Sequence, residues 1–506
     1  MNLTAEYERL RELGARLGDL GAALSVLQWD LEVMAPPGGA ARRAAQIGTL
    51  AGLRHEFLLE RYRPVVLRLA EIARADDAKF YFIHQRNILA AAESVEKAAA
   101  LPAAFVAKSA EVCANAQSVW ETAKANNDFP SFSPFLEAVV ELKREQVRLY
   151  RDALPGRFSD DYSALLDDYE PGMNAAAVDS VFARLVPALR RLAAAAPPPD
   201  ERPLFPFDPD PAAQLKLCRK VLEMMGYDFG RGRLDISAHP FTISFGPEDV
   251  RVTTRVTPGV PLSSLYSAIH EGGHALYEQG FSPAAYGLPE AEACSLSIHE
   301  SQSRIWENNV GRSLECCRAL FDDVAALSPT RLAGFDPEDL FRHVNAVRPS
   351  LIRTEADELT YHFHIIIRYE LERDLLSGAV KASDVREAWR EKYAAYLGVR
   401  PANDAEGVLQ DVHWAHGSLG YFPTYTLGSL FAAQFYAYAQ AAKPDLNQDV
   451  AAGRWNVLTK FLSDNIFLHG RLFTSQTLCS QIGGEGLNPD YFIQYMEAKL
   501  KALGGR

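Results

Sequence analysis

Apolar residues return every three or four positions along most of the chain, and residues so spaced share one face of a helix. The segments ESVEKAAALPAAFVAKSAEV and FLEAVVELKREQVRLYRDAL show this register within Leu3 to about Ala195, a stretch rich in Ala, Leu, Glu and Arg. Breaks are predicted at Pro36 to Gly39, at Asp128 to Pro134 and at Pro171-Gly172, where proline and glycine stop helices. Seven of the fifteen residues from Pro197 to Pro211 are proline (197, 198, 199, 203, 206, 209 and 211), which forbids continued helix or an inner strand. A short helix over AAQLKLCRKVLEMMG follows. The only strand signal then comes from His239 to Phe245 and Asp249 to Val256, joined by a Gly246-Pro247 turn. From Leu262 the helical period resumes to the C-terminus, punctuated near Gly311, Pro329, Gly398 and Gly417. The predicted fold is mainly α with one small β-sheet. It divides into an N-terminal helical region (1–196), a proline-rich connector (197–211) and a C-terminal region (212–506).

Composition narrows the function. With 506 residues, 48% hydrophobic and 23% charged, the chain has globular usage and can bury a sizeable core. Its formal charge is 52 − 65 = −13, which offers no basic footprint for nucleic acid or an anionic membrane. Six cysteines (Cys113, Cys218, Cys294, Cys316, Cys317, Cys479) are too few for a disulfide framework and lack CxxC spacing, so a reducing cytoplasm is expected. The opening MNLTAEYERLRELG has no apolar signal core, so secretion is not indicated. The longest apolar run, Ser429 to Ala442, is too short to cross a bilayer.

Candidate chemistry lies in SAIHEGGHALYEQG. His270 and His274 stand at i and i+4, which on a helix brings two imidazoles to one ion, while Glu271 points at its water. Chance supplies roughly 0.04 such HExxH matches in a chain of this composition. Gly272 and Gly273 each cost roughly 1 kcal/mol relative to alanine inside a helix, which implies close approach by substrate or by packed backbone. A catalytic zinc site takes three protein ligands and keeps one position open. The third must come from elsewhere, and EACSLSIHESQSRIWENN offers Glu292, His299, Glu300 and Glu307, among which spacing does not choose. Glu300 also reads as an i, i+4 partner of Arg304.

Six motifs now stand in order: HPF (His239 to Phe241), DVRVT (Asp249 to Thr253), HEGGH (His270 to His274), HESQS (His299 to Ser303), IRTEAD (Ile352 to Asp357) and GVLQDVHW (Gly407 to Trp414). In these, and from LQWD (Leu27 to Asp30) nearly to its end, the chain resembles the Taq-type metallocarboxypeptidases, a helical zincin family. One departure follows LQWD, where this chain reads Leu31-Glu32-Val33-Met34-Ala35-Pro36 in place of the family's Glu-Thr and Met-Pro. The resemblance implies Glu300 as third ligand and Glu271 as general base. It also implies broad residue preference, a homodimer, and a deep active-site groove with the N-terminal helices as wall and lid.

A carboxypeptidase must read a free carboxylate, and a guanidinium does so with a planar fork. Arg353 is the first candidate, against a pairing with Asp357 four residues on; Arg348 competes. His239 and His413 are candidate site histidines, each also readable as a hydrogen-bonded core residue. Tyr421 and Tyr425 are candidate donors to the oxyanion, and Arg251 a candidate peptide contact on a strand that otherwise braces its hairpin. The reading that results is a carboxypeptidase with one zinc ion per subunit, cobalt or manganese fitting the same ligands, acting on peptides. A zinc oligopeptidase or endopeptidase of the same fold is the alternative, and an inactive binding module would normally have lost Glu271 or a ligand.

Overall fold

The computed structural model describes residues 2–76, 79–202, 204–205, 208–327 and 332–504; Pro203, Pro206 and Pro329 lie outside them. Helix dominates, as the apolar period predicts. Leu3–Val33 opens the chain as one long helix, which stops short of Pro36, and Ala40–Phe57 follows. At the second predicted break Asp128 caps the helix Phe129–Ala153 by accepting from Ser131 N–H, and Pro134 is absorbed inside that helix. A break that the period hides falls at Leu101-Pro102, between Phe82–Ala100 and Ala103–Asn126. No helix among the described residues is long and apolar enough to cross a membrane.

Two compact units emerge, each assembled from three separated stretches. The first takes Met1–Val95, Glu201–Val344 and Phe431–Leu487, and the second takes Glu96–Asp200, Asn345–Leu430 and Asn488–Arg506. In the first, Leu10, Val66, Leu69, Ala70, Ile88 and Ala92 form a dry core between the opening helix and two later ones. Its sheet has three strands in the order β1 (Leu234–Ile236), β3 (Val250–Thr254), β2 (Thr242–Ser244). Strands β2 and β3 are the antiparallel hairpin read from the sequence, with Ile243 opposite Arg251. β1 adds a parallel edge, Asp235 opposite Thr253. Strand β3 then leans on the helix Ser263–Gln279, where Thr254 Oγ1 donates to Ser264 O at 2.8 Å.

The second unit is organised around the helix Tyr361–Ser377, which is buried on nearly every side. Ile365, Ile366, Ile367, Leu371 and Leu375 supply the apolar fill. Burying its polar residues requires partners. Glu372 accepts from Tyr162 OH at 2.7 Å, Trp414 Nε1 at 3.1 Å and Gly420 N–H at 3.0 Å. Burial pushes its carboxyl up to about 7 against the pull of those donors.

Candidate metal centre

The helix Ser263–Gln279 carries HEGGH, and Leu296–Arg304 carries HESQS. Ser295 starts the second helix by accepting from Ile298 N–H. The glycine pair explains how closely the two elements meet. A Cβ on Gly273 would stand 2.5 Å from Gln302 O and 2.7 Å from Ser303 Cα, so only glycine admits the HESQS backbone there. Gly272 instead makes room for Leu222 and Met225 of the helix Pro211–Met225. Packed backbone and packed side chains therefore account for both glycines.

That approach gathers His270, His274 and Glu300, whose nearest ligand atoms all lie within 4.8 Å of one another. His270 Nε2 is 3.7 Å and His274 Nε2 3.6 Å from Glu300 Oε2. Ligands about 2.0 to 2.2 Å from a tetrahedral ion stand roughly 3.3 to 3.5 Å apart, so these atoms need close by only a few tenths of an ångström. The outer nitrogens are engaged: His270 Nδ1 with Glu307 at 2.8 Å, and His274 Nδ1 with His299 Nδ1 at 2.5 Å. Glu300 and Glu307 pair with Arg304 and Arg312, while Glu278 meets His299 and Glu271 meets Thr242, so four carboxylates stand against two guanidiniums, 2 − 4 = −2 with ionised carboxylates and neutral imidazoles. A divalent cation fits both the donor set and the charge.

Neighbouring residues tune each candidate ligand. Burial alone would raise the Glu300 carboxyl; Arg304, 2.7 Å from Oε1, and the two imidazoles outweigh it and hold the group well below the usual range. Pairing with Arg304 therefore accompanies the position beside the imidazoles and does not replace it. Burial, reinforced by His299 and His270, lowers His274 to about 3, which keeps its ring neutral and able to ligate. For His270 burial works against the charged form, but Glu300 and Glu307 prevail and push it up. Glu271 is raised by burial, and Thr242 Oγ1 on β2 lies 2.8 Å from both its Oε2 and its carbonyl oxygen.

Two contributors escaped the sequence reading. Glu307 was legible only as a rival ligand, yet it orients His270 from a π-helical segment, Ile305–Gly311, that continues the HESQS helix. Wider π turns recur at functional sites because they re-aim side chains. Thr242 follows HPF directly, but nothing in the sequence marked it as a partner of Glu271.

In the same unit, His239 is exposed in the loop before β2, where its carbonyl accepts from Ser237 Oγ at 2.6 Å. Arg251 pairs with Asp249 at 2.9 and 2.8 Å, and its guanidinium lies 4.5 Å over the ring of Trp29 from LQWD. Its visible work is to brace the hairpin, and it links two of the motifs.

Arg353, His413, Tyr421 and Tyr425 belong to the second unit, where they gather into one cluster. Arg353 is buried; its Nε and Nη2 lie 2.9 and 2.8 Å from Asp411 Oδ1, and its Nη1 donates to Tyr361 OH at 3.2 Å. Asp411, from GVLQDVHW, takes the place that the sequence offered to Asp357. Asp357 instead accepts the backbone N–H groups of Arg348, Leu359 and Thr360. His413 Nε2 meets Tyr425 OH at 3.1 Å, and burial chiefly lowers that histidine to about 4. The Tyr421 ring lies 5.3 Å from His413 and 5.2 Å from Tyr425.

Known proteins match this chain over nearly all of its length. A sequence profile of the Carboxypeptidase Taq (M32) metallopeptidase family matches residues 9–500. The thermostable carboxypeptidase 1 of Thermus thermophilus is 38% identical over 520 residues, covering 100% of both chains. Its namesake from Pyrococcus furiosus is 37% identical over 491 residues, 96% of each chain. Among solved structures, the M32 carboxypeptidase of Deinococcus radiodurans superposes with a TM-score of 0.93 at 37% identity, covering 99% of this chain and 100% of that one. Two histidines and a glutamate converging on HEGGH and HESQS, in a chain aligned throughout with such relatives, place this protein in the Taq-type (M32) family of metallocarboxypeptidases.

Proposed function

We propose that the protein is a zinc carboxypeptidase that releases C-terminal residues from peptides with broad preference, using Glu271 as general base. The observation that carries this reading is the convergence of His270 Nε2, His274 Nε2 and Glu300 Oε2, with Glu271 next to His270 on the same helix. These three residues would hold the ion, whose contribution when bound is Lewis acidity toward the scissile carbonyl and toward water. Thr242 fixes Oε2 of Glu271, which leaves Oε1 to take a proton from the attacking water and return it to the departing amine. A raised carboxyl suits that task, because the proton must come on and off near neutral pH. Cobalt or manganese fits the same ligands.

For the substrate we assign Arg353 to the terminal carboxylate, with His413, Tyr421 and Tyr425 as its polar surroundings and His239 and Arg251 as further contacts. The support is charge: Arg353 and Arg368 share the single carboxylate of Asp411, so the directly paired groups sum to +1. A peptide carboxylate would neutralise the excess. Six free thiols support a reducing, cytoplasmic compartment, and the family resemblance supports a homodimer with one ion per subunit.

Mass spectrometry of free-acid and amidated peptides tests the reading. Chelation should abolish release of C-terminal residues, zinc or cobalt should restore it, and amidation should suppress it. Arg353→Ala should lower kcat/KM on free-acid peptides by at least about tenfold and on amidated ones much less. Internal cleavage that ignores amidation would transfer the case to an oligopeptidase, and full activity in metal-free protein would end the mechanism.

A further inference from the structure

His270, His274 and Glu278 recur at four-residue spacing along the helix Ser263–Gln279, which puts all three on one face. The third has no place in the ligand set. Glu278 Oε1 lies 2.9 Å from Nε2 of His299, and the other ring nitrogen of His299 lies 2.5 Å from His274 Nδ1. An ionised carboxylate only accepts hydrogen bonds, so His299 Nε2 carries the proton in the first contact. Neutral His299 then has its lone pair at Nδ1, which accepts from His274 Nδ1–H. The remaining lone pair of His274 is at Nε2, the atom that faces Glu300 Oε2. Reversing the order fails at both ends: a lone pair would meet the carboxylate, and His274 would turn an N–H toward the metal position.

We propose that Glu278 is a positioning residue for the metal centre, acting through His299 to fix His274 in the tautomer whose Nε2 is free to ligate. The two histidines of HEGGH are then oriented by unlike means. His270 has a carboxylate directly behind it, Glu307, braced by Arg304 and Arg312. His274 has a neutral ring interposed between itself and its carboxylate. Tyr277 packs T-shaped against the interposed ring, 5.5 Å from His299 between ring centres. An outer carboxylate commonly sets ligand orientation and basicity, and removing one typically costs 10- to 100-fold in metal affinity. This inference rests on His274 being a ligand.

The test uses the full-length enzyme, with zinc affinity measured by chelator competition and ring tautomers by NMR of 15N-histidine-labelled protein. The His299 signals are assigned by their loss in His299→Gln. In zinc-loaded wild type His299 should show the neutral Nε2–H pattern. Glu278→Leu should raise the zinc Kd by about 10- to 100-fold and release His299 into mixed tautomers. Glu278→Gln keeps an oxygen that accepts from Nε2–H, so it should retain the tautomer and most of the affinity. If Glu278→Leu does not fold, the wild-type tautomer and the Gln variant decide the matter. A wild-type His299 protonated at Nδ1, or zinc binding in Glu278→Leu equal to wild type, overturns the proposal. His274→Ala separates the two levels. Undiminished zinc affinity there removes the ligand assignment itself, whereas its loss alongside an unaffected Glu278→Leu removes only the relay.

Discussion

Around Asp411 and around Glu300 the chain buries charges of both signs, and the two clusters are closed to different degrees. Each oxygen of Asp411 meets a guanidinium: Oδ1 lies 2.8 Å from Arg353 Nη2 and Oδ2 lies 2.6 Å from Arg368 Nε. Glu300 gives Oε1 to Arg304 at 2.7 Å, but its Oε2 stands 3.6 and 3.7 Å from two imidazole nitrogens and 3.3 Å from the Ser303 hydroxyl, which donates more closely to the Glu300 carbonyl at 2.7 Å. Charge closed at hydrogen-bond distance is a strut for the side chains it joins, and here Asp411 holds in place the Arg353 proposed for the substrate. Two imidazole nitrogens and a carboxylate oxygen aimed at one point, each nitrogen a few tenths of an ångström beyond ligand spacing from the oxygen, suit a cation. Burial of charge alone does not mark a candidate metal site, whereas the geometry of the unfilled contacts does.

The largest expected effect is on turnover. Glu271→Gln should lower kcat by about 10²- to 10⁴-fold while zinc content stays at the wild-type level, because the amide keeps the shape and loses the basicity. Wild-type kcat would remove Glu271 from the base role. Next comes metal affinity. Glu300→Ala should weaken zinc binding by more than about 100-fold, and His299→Ala by roughly 10- to 100-fold, since the second acts only through His274. Asp411→Asn should leave zinc content unchanged. Equal metal loss in the Asp411 and Glu300 variants would erase the distinction between strut and ligand.

Stability should respond in the opposite sense. Asp411→Asn leaves two buried guanidiniums short of their shared anion and presents an amide N–H₂ to one of them, a loss on the order of 3 to 5 kcal/mol. Urea unfolding measures it. Burial opposes the charge of Asp411, but Arg353 and Arg368 prevail and hold its carboxyl well below the unfolded value of 3.8. A depressed acid contributes stability that is present above its unfolded pKa and lost as pH falls below about 4 through the folded value. The Asn variant should therefore show a shallower acid limb than wild type. Identical acid limbs would mean that the pair is not what couples folding to pH there.

How much of this was legible depended on the separation of the partners along the chain. His270, Glu271 and His274 lie within one helical turn and a half, so spacing alone exposed them. Naming Glu300 rather than Glu307 as the candidate ligand required the family resemblance, because where each carboxylate stands beside the imidazoles follows from a π-helical stretch and from the facing helix, neither of which leaves a periodic mark. Arg353 and Asp411 are 58 positions apart, and no local pattern joins them; the i+4 rule offered Asp357, but Arg353 sits in a short 3₁₀ turn that ends before it. Strand β1 was missed because three residues, Leu234–Ile236, are too few to show alternation. The hairpin and nearly all the helices were readable because their signals are local and repeated.

Packing at the glycine pair gives the smallest expected effect and the finest contrast. Gly272 and Gly273 are adjacent in one helix, so alanine brings each the same propensity gain of about 1 kcal/mol. They differ in what a methyl group meets. At Gly272 the nearest atoms are Leu222 Cδ2 at 2.4 Å and Met225 Cε at 3.0 Å, both ends of flexible side chains that can turn aside. At Gly273 they are Gln302 O at 2.5 Å and Ser303 Cα at 2.7 Å, which move only if the HESQS helix moves. Gly273→Ala should therefore cost about 1 to 3 kcal/mol in urea unfolding, and Gly272→Ala less. Displacing that helix carries Glu300 away from the two imidazoles, so zinc affinity should fall in Gly273→Ala and hold in Gly272→Ala. A thermal scan of zinc-loaded and chelated forms reads both effects. If Gly273→Ala binds zinc as wild type does, the close approach of the two helices is not what sets the distance from Glu300 to the histidines.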